Sequence, residues 1–213
     1  MNKLRRIFRF LTDFKMLKVF YTLRYKGYLA ERGWVNSYHR KRPVDKSGNA
    51  VPWITYSSLD FLTPRLRPEF AILEYGSGNS TLFYASRVKS VTSVESDKGW
   101  FEAIREKMPA NVSIHLVTDK DHYVQFNKTQ EAKYELVIVD GLSRYECAAS
   151  CLSSLTPDGV IVLDNSERTL YKPIYEMLGK TGFRHVDFWG LSPGSTKVNC
   201  TTVFYRNSNC LNI

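Results

Sequence analysis

From residue 70 onward, apolar and polar positions fall into short alternating blocks. Apolar, β-rich runs occupy 71–74, 90–95, 112–117, 136–140 and 159–163. Stretches with helical periodicity follow them, opening near Ser80, Asp97 and Ser166, with another running to Leu155. Short buried strands alternating with helices predict βαβ units and a parallel sheet covered on both faces. The chain closes with two more β-rich runs, 183–189 and 198–205, around a Pro193-Gly194 turn. With no helix between them, they predict an antiparallel hairpin at the sheet edge. The expected fold is α/β: a doubly wound, seven-stranded, mostly parallel sheet with a C-terminal antiparallel hairpin and an N-terminal helical segment.

Upstream the pattern changes. Residues 3–32 read as one or two amphipathic helices. Leu4, Ile7, Leu11, Phe14 and Leu17 recur at three- and four-residue steps, while Arg5, Arg9, Lys15 and Lys18 fall largely elsewhere on the wheel. Such a segment can pack on the core, cap an active site, or lie on an anionic membrane surface. Residues 33–58 read as a loop around Pro43, Gly48 and Pro52. Its Trp34, Trp53 and Tyr56 either pack or line a substrate mouth. The expected division is a basic helical segment, 1–45, and a catalytic domain, 46–213.

Charge sharpens that division. The net charge is +9, yet residues 1–42 carry 12 Lys and Arg against 2 Asp and Glu, a net of +10. The remaining chain is close to neutral. A nucleic-acid groove across the body is therefore not expected, although one built from the N-terminus stays open. At 213 residues and 43% hydrophobic content, the chain suits one domain with an appendage. No apolar run approaches the ~20 residues of a membrane span. Nor does the start hold the ~7–15 apolar residues of a signal peptide. Cys147, Cys151, Cys200 and Cys210 match no zinc spacing and read as reduced, buried thiols. The expected location is cytoplasmic, with peripheral membrane contact through the N-terminal helix.

The chemistry sits at strand ends. Glu74-Tyr75-Gly76-Ser77-Gly78-Asn79-Ser80 follows the first core strand and opens a helix. Glycines there allow a tight turn and a close approach to a ligand. Glu95, with Ser96 after it, closes the second strand, where an acidic side chain can accept hydrogen bonds from both hydroxyls of a ribose. That pair indicates adenosine, in a nicotinamide cofactor or in S-adenosylmethionine. Asp140 ends the fourth predicted core strand and Asp164-Asn165 the fifth, on the same sheet edge. Two carboxylates and an amide make an oxygen set suited to Mg²⁺; the other use of such aspartates is to cap the following helices.

These residues resemble, in order and spacing, the class I S-adenosylmethionine-dependent methyltransferases, whose fold is Rossmann-like. The likeness covers about residues 70–206. Asp140, Asp164, Asn165 and Arg144-Tyr145 resemble more narrowly the metal-dependent catechol O-methyltransferase type. The resemblance implies that Glu74, Gly76, Ser77, Gly78, Glu95, Ser96 and Asp140 hold S-adenosylmethionine, with Asp119 by the adenine. It implies that Asp140, Asp164 and Asn165 hold Mg²⁺ and that the acceptor is a small hydroxylated molecule, a glycan or a phenol.

Two positions depart from the pattern. Ser80 stands where a third glycine is usual. Ser143 stands where the catechol enzymes carry a lysine base, so Asp140 and a histidine become the catalytic candidates: His122 first, with His39 and His185 behind it. A short-chain dehydrogenase is disfavoured, because none of the thirteen tyrosines has a lysine four residues later. A non-catalytic module with this fold stays open. So does an RNA ribose methyltransferase using the basic N-terminus. Base amino methylation is not expected, because Asp140-Gly141-Leu142-Ser143 replaces the Pro-Pro-type motif of those enzymes.

Overall fold

The computed structural model describes residue 3 and residues 12–213. Leu4, Ile7, Leu11, Arg5 and Arg9 of the expected helix lie outside the described residues.

Seven strands form one sheet: β1 (Ala71–Tyr75), β2 (Ser90–Glu95), β3 (Val112–Leu116), β4 (Tyr134–Val139), β5 (Leu155–Asp164), β6 (Arg184–Gly190) and β7 (Asn199–Tyr205). Their spatial order is β3-β2-β1-β4-β5-β7-β6. The first five pair in parallel, and β7 runs antiparallel between β5 and β6. This is the doubly wound Rossmann-like fold expected, with its antiparallel hairpin. The order reverses between β1 and β4, and a crevice opens there at the strands' carboxyl ends.

Strand alternation divides the core into two layers. Ile72, Val91, Leu136, Ile138, Val160, Val162 and Val203 face one side, under α4 (Tyr56–Leu62) and α5 (Asn79–Ala85). Leu73, Tyr75, Val94, Val137, Val139, Ile161 and Leu163 face the other, under α7 (Lys120–Gln125), α8 (Arg144–Ser150) and α9 (Lys172–Lys180). Between β2 and β3 lies α6 (Lys98–Ile104). Continuous apolar runs are what a strand buried on both faces requires.

The N-terminal part holds α1 (Phe14–Tyr25), α2 (Tyr28–Glu31) and α3 (Trp34–Arg40). Asp13 caps α1 through its carboxylate, and none of that helix's residues is buried. The third helix is docked instead. Ser37 Oγ donates to the Val44 carbonyl at 2.8 Å and accepts from the Val44 amide at 3.0 Å. Trp34 Nε1 donates to the Ser195 carbonyl at 2.9 Å. Gly194 (φ +69°) fits against α3 because it has no side chain: a Cβ there would stand 2.8 Å from the Tyr38 amide nitrogen. The segment thereby roofs the hairpin loop beside the sheet's carboxyl edge.

Two expectations need correction. Residues 33–58 are not all loop, since α3 fills 34–40 and α4 begins at Tyr56. Gly33, in the left-handed region, and Thr55, which caps through Ser58, start those helices. The helix expected near Ser166 starts at Lys172. Asn165 adopts a left-handed backbone (φ +50°), and its carbonyl closes a turn with the Arg168 amide at 3.2 Å.

Candidate active site

The crevice holds two adjoining lobes. The larger, about 580 Å³, is walled by Gly76, Ser77, Gly78, Glu95, Ser96, Trp100, Tyr123 and Gly141. The second, about 500 Å³, is lined by Asp164, Asn165, Ser192, Ser195 and Asn199. Trp53 and Asp140 border both.

The glycine loop shapes the first lobe. Gly76 (φ +94°) needs glycine: a Cβ would stand 3.0 Å from Gly141 Cα. Gly141 needs it too, because a Cβ would meet the Tyr123 hydroxyl at 2.0 Å. Gly78 differs. Its backbone is extended, and a Cβ would meet only Trp100 and Ser80, at 3.9 and 4.0 Å. Its missing side chain leaves space on the cavity wall, the cradle a ligand's backbone approach requires.

Glu95 is pinned across that lobe. Its Oε2 accepts the Ser77 amide at 3.0 Å, and Oε1 accepts the amides of Ser96 and Asp97 at 2.7 and 2.8 Å. At 7% exposure it is nearly buried, yet it still lines the cavity. A carboxylate has room for about four acceptor bonds, so capacity for a ribose hydroxyl remains. Glu74 does not line the cavity. It lies fully buried beneath the loop, where Thr81 and Ser93 hydroxyls donate to one oxygen, and the other has no partner. Burial pushes its carboxyl up to about 7 against those hydroxyl bonds.

At the junction of the lobes, Arg144 Nη2 donates to Asp140 Oδ1 at 2.9 Å, while Nε donates to the Gly141 carbonyl at 3.0 Å. The same guanidinium also reaches the Asp164 carbonyl. Arg144 is nearly buried and ties the end of β5 to the β4 loop. Asp164 Oδ1 accepts from Thr201 Oγ1 at 2.8 Å. Burial, and then the charge of Asp140, push the Asp164 carboxyl up to about 8. Burial also raises Asp140, against the pull of Arg144 and Arg168.

The structure thus brings together Gly76, Ser77, Gly78, Glu95, Ser96, Asp140, Asp164 and Asn165. It leaves others apart. Asp119 caps α7 by accepting the His122 amide at 2.8 Å and does not line the larger lobe. His122 does not reach Asp140 either. Its exposed ring sits against Asp119 at 3.3 Å and borders a different hollow, because the first turn of α7 carries it outward. His39 lies beside Arg24, and His185 packs on Tyr175 and Phe204. No histidine lines either lobe. All four cysteines are free and buried. Among the described residues, no three His, Cys, Asp or Glu side chains gather as a metal cluster, and no helix is long and apolar enough to cross a membrane.

Several lining residues lack any sequence signal of their own. Lys41, Arg42, Trp100, Arg168 and Tyr171 border the first lobe, and Ser192, Ser195 and Asn199 the second. Trp100 was legible only as a helix residue, yet its Nε1 donates to the Ser77 carbonyl at 2.7 Å. The hairpin loop was legible only as a turn.

No family model matches the chain, and no curated protein matches it. Solved structures do share its fold. A candidate O-methyltransferase from Klebsiella pneumoniae superposes with a TM-score of 0.62 at 16% identity, covering 88% of this chain and 94% of that one. An rRNA methylase from Streptococcus thermophilus gives 0.52 at 16% identity, covering 70% and 93%. A candidate methyltransferase from Streptococcus mutans, in complex with SAH, gives 0.50 at 16% identity, covering 70% and 94%. At these identities the likeness establishes the fold: the chain has the seven-stranded Rossmann-like architecture found in methyltransferases.

Proposed function

We propose that this protein is an S-adenosylmethionine-dependent O-methyltransferase acting on a small hydroxylated acceptor, a sugar, glycan or phenol, with Mg²⁺ assisting. The observation that carries the reading is Glu95, held by three backbone amides on the wall of the larger lobe beside an open Gly78. A pre-set carboxylate at the end of β2 suits a ribose, and the glycine loop suits close approach of a nucleoside-linked group. The bound SAH of the Streptococcus mutans structure supports the same donor for this fold.

Asp140, Asp164 and Asn165 offer two carboxylates and an amide oxygen to one lobe, a donor set that fits a hard divalent cation. Repulsion between the buried Asp164 carboxylate and the partly exposed Asp140 supports the fit, since a cation relieves it. Bound there, Mg²⁺ would lower the pKa of an acceptor hydroxyl.

The chain's own residues account for the rest. Glu95 and the glycine loop would hold the donor, and the junction at Asp140 would receive the acceptor hydroxyl. The bound donor would supply an electrophilic methyl, the C–O bond forming as the C–S bond breaks and its electron pair stays on sulfur. Arg144 holds Asp140 Oδ1, and Oδ2 has no hydrogen bond among the described residues. In the metal-free site Oδ2 is the oxygen that would take the hydroxyl proton, while with Mg²⁺ bound it would be a ligand and the acidified hydroxyl would lose its proton to solvent; His122 borders neither lobe. Release of S-adenosylhomocysteine on incubation with sugar and phenol acceptors, with and without Mg²⁺, tests the reaction. Its absence from every mixture counts against it.

We also infer that α1 lies on an anionic lipid surface. Phe14, Val19 and Leu23 are exposed along it, while Lys15, Lys18 and Arg24 carry charge of the complementary sign.

A further inference from the structure

The charges around the two lobes do not cancel. Three carboxylates line the larger one, and each is already engaged. Glu95 accepts three amides, Asp97 caps α6 through the Trp100 amide at 2.7 Å, and Asp140 pairs with Arg144. Of the four cations on the same walls, only Arg144 is ion-paired. Lys41, Arg42 and Arg168 border the cavity without an ion pair among the described residues. Arg168 is close enough for its field to favour the charged form of Asp140.

The backbone that carries Lys41 and Arg42 is held in place, while the cationic side chains are exposed. Lys41 ends α3 as its C-cap with a left-handed backbone (φ +51°), a common helix stop that turns the chain toward the cavity. Four non-glycine residues with positive φ occur among the described ones, and three of them, Lys41, Ser143 and Asn165, line these lobes. Asn79 Nδ2 donates to the Pro43 carbonyl at 2.7 Å, so the Lys41-Arg42 segment is tied to the first residue after the glycine loop. Arg168 follows the Asn165 turn and lines the same lobe as Lys41 and Arg42. Trp53, 47% exposed, borders both lobes.

Resting on the methyltransferase reading, we propose that the acceptor carries a phosphate or pyrophosphate group, seated by Lys41, Arg42 and Arg168, with its hydroxylated portion against Trp53 and in the second lobe. The acceptor class is then a sugar phosphate or a nucleoside-diphosphate sugar, free or lipid-linked. Guanidinium groups suit phosphate oxygens, and an exposed indole offers a flat face to a sugar or base. The charge logic also orders the reaction. The donor's sulfonium adds a positive charge beside the anion before transfer, and the neutral thioether afterwards removes it. Product is thereby held less tightly than substrate.

The test uses the full-length protein and pyrophosphate as probe, by calorimetry, with and without saturating S-adenosylhomocysteine. Affinity for S-adenosylhomocysteine is measured separately. Wild type is expected to bind pyrophosphate, and Arg42→Ala/Arg168→Ala to lose about tenfold or more in that affinity. Its S-adenosylhomocysteine affinity should fall by much less than its pyrophosphate affinity. Arg168→Lys, a charge-retaining control, should recover part of the pyrophosphate binding. Glucose 1-phosphate and a short-chain lipid-linked sugar pyrophosphate, compared as methyl acceptors, distinguish the free from the lipid-linked source. Absence of pyrophosphate binding overturns the inference. So does equal loss of S-adenosylhomocysteine affinity in the double variant, which would assign these cations to the donor's carboxylate. Failure of wild type to bind S-adenosylhomocysteine while pyrophosphate binds would instead sink the methyltransferase reading, and the acceptor assignment with it.

Discussion

Asn79 donates its side-chain amide to the carbonyl of Pro43 at 2.7 Å, and this one bond joins the glycine loop's helix to the N-terminal segment. It fixes Lys41 and Arg42 relative to the place where the donor is proposed to bind. Asn79→Ala should cost about 1 kcal/mol of stability, the usual worth of such a bond. It should also raise amide hydrogen exchange at Arg42 and weaken pyrophosphate binding. Unchanged exchange at Arg42 would show that the Ser37–Val44 bonds hold the segment without it.

The loop glycines make opposite predictions. Gly141→Ala places a methyl 2.0 Å from the Tyr123 hydroxyl, so it should destabilise by about 2 kcal/mol, read as a lower Tm. Gly78→Val meets no protein atom closer than 3.9 Å at its Cβ and has an extended backbone. The fold should tolerate it, with a Tm within about 3 °C of wild type. The donor should not: S-adenosylhomocysteine affinity should fall by about tenfold or more. A Gly78→Val protein that binds normally would remove the loop from the donor site.

Glu74 makes stability depend on pH. Its carboxyl sits at about 7 in the folded protein because burial disfavours the charge, against about 4 in an unfolded chain. Between those values the folded state holds the extra proton, so stability falls as pH rises from about 4 to about 7. Asp164, pushed up to about 8, acts in the same direction to slightly higher pH. Glu74→Gln should flatten the decline seen in Tm between pH 5 and pH 8. Mg²⁺ should raise Tm more at pH 8 than at pH 5.5, because it competes with the proton on Asp164. A Tm independent of Mg²⁺ at both pH values would count against the metal.

The exposed α1 predicts sedimentation with anionic vesicles at low salt and weaker sedimentation with neutral ones. Phe14→Asp/Leu23→Asp should reduce it several-fold. Equal recovery in the supernatant with both lipids would leave α1 without a lipid partner.

The sheet was legible in the sequence because strands buried on both faces leave unbroken apolar runs, as at Val137-Ile138-Val139 and Val160-Ile161-Val162. The wall of the larger lobe was legible because Gly76, Gly78 and Glu95 obey backbone constraints that show as residue type and spacing. Asp119 carries a second use that sequence does not separate: the side chain that ends a strand run can cap the next helix, and here it does. His122 misled because sequence does not say which way the first turn of a helix faces. Lys41, Arg42, Trp53 and Arg168 come from three separate segments. Only tertiary docking, through Ser37–Val44, Trp34–Ser195 and Asn79–Pro43, gathers them at one mouth.

The central claim is a donor site organised by Glu95. Titration of the purified protein with S-adenosylmethionine in a calorimeter, beside Glu95→Ala, tests it most directly. The account predicts binding with a Kd of about micromolar order, about −8 kcal/mol, lost or weakened at least about tenfold by the substitution. Absence of binding by well-folded wild-type protein, or equal binding by Glu95→Ala, would contradict it.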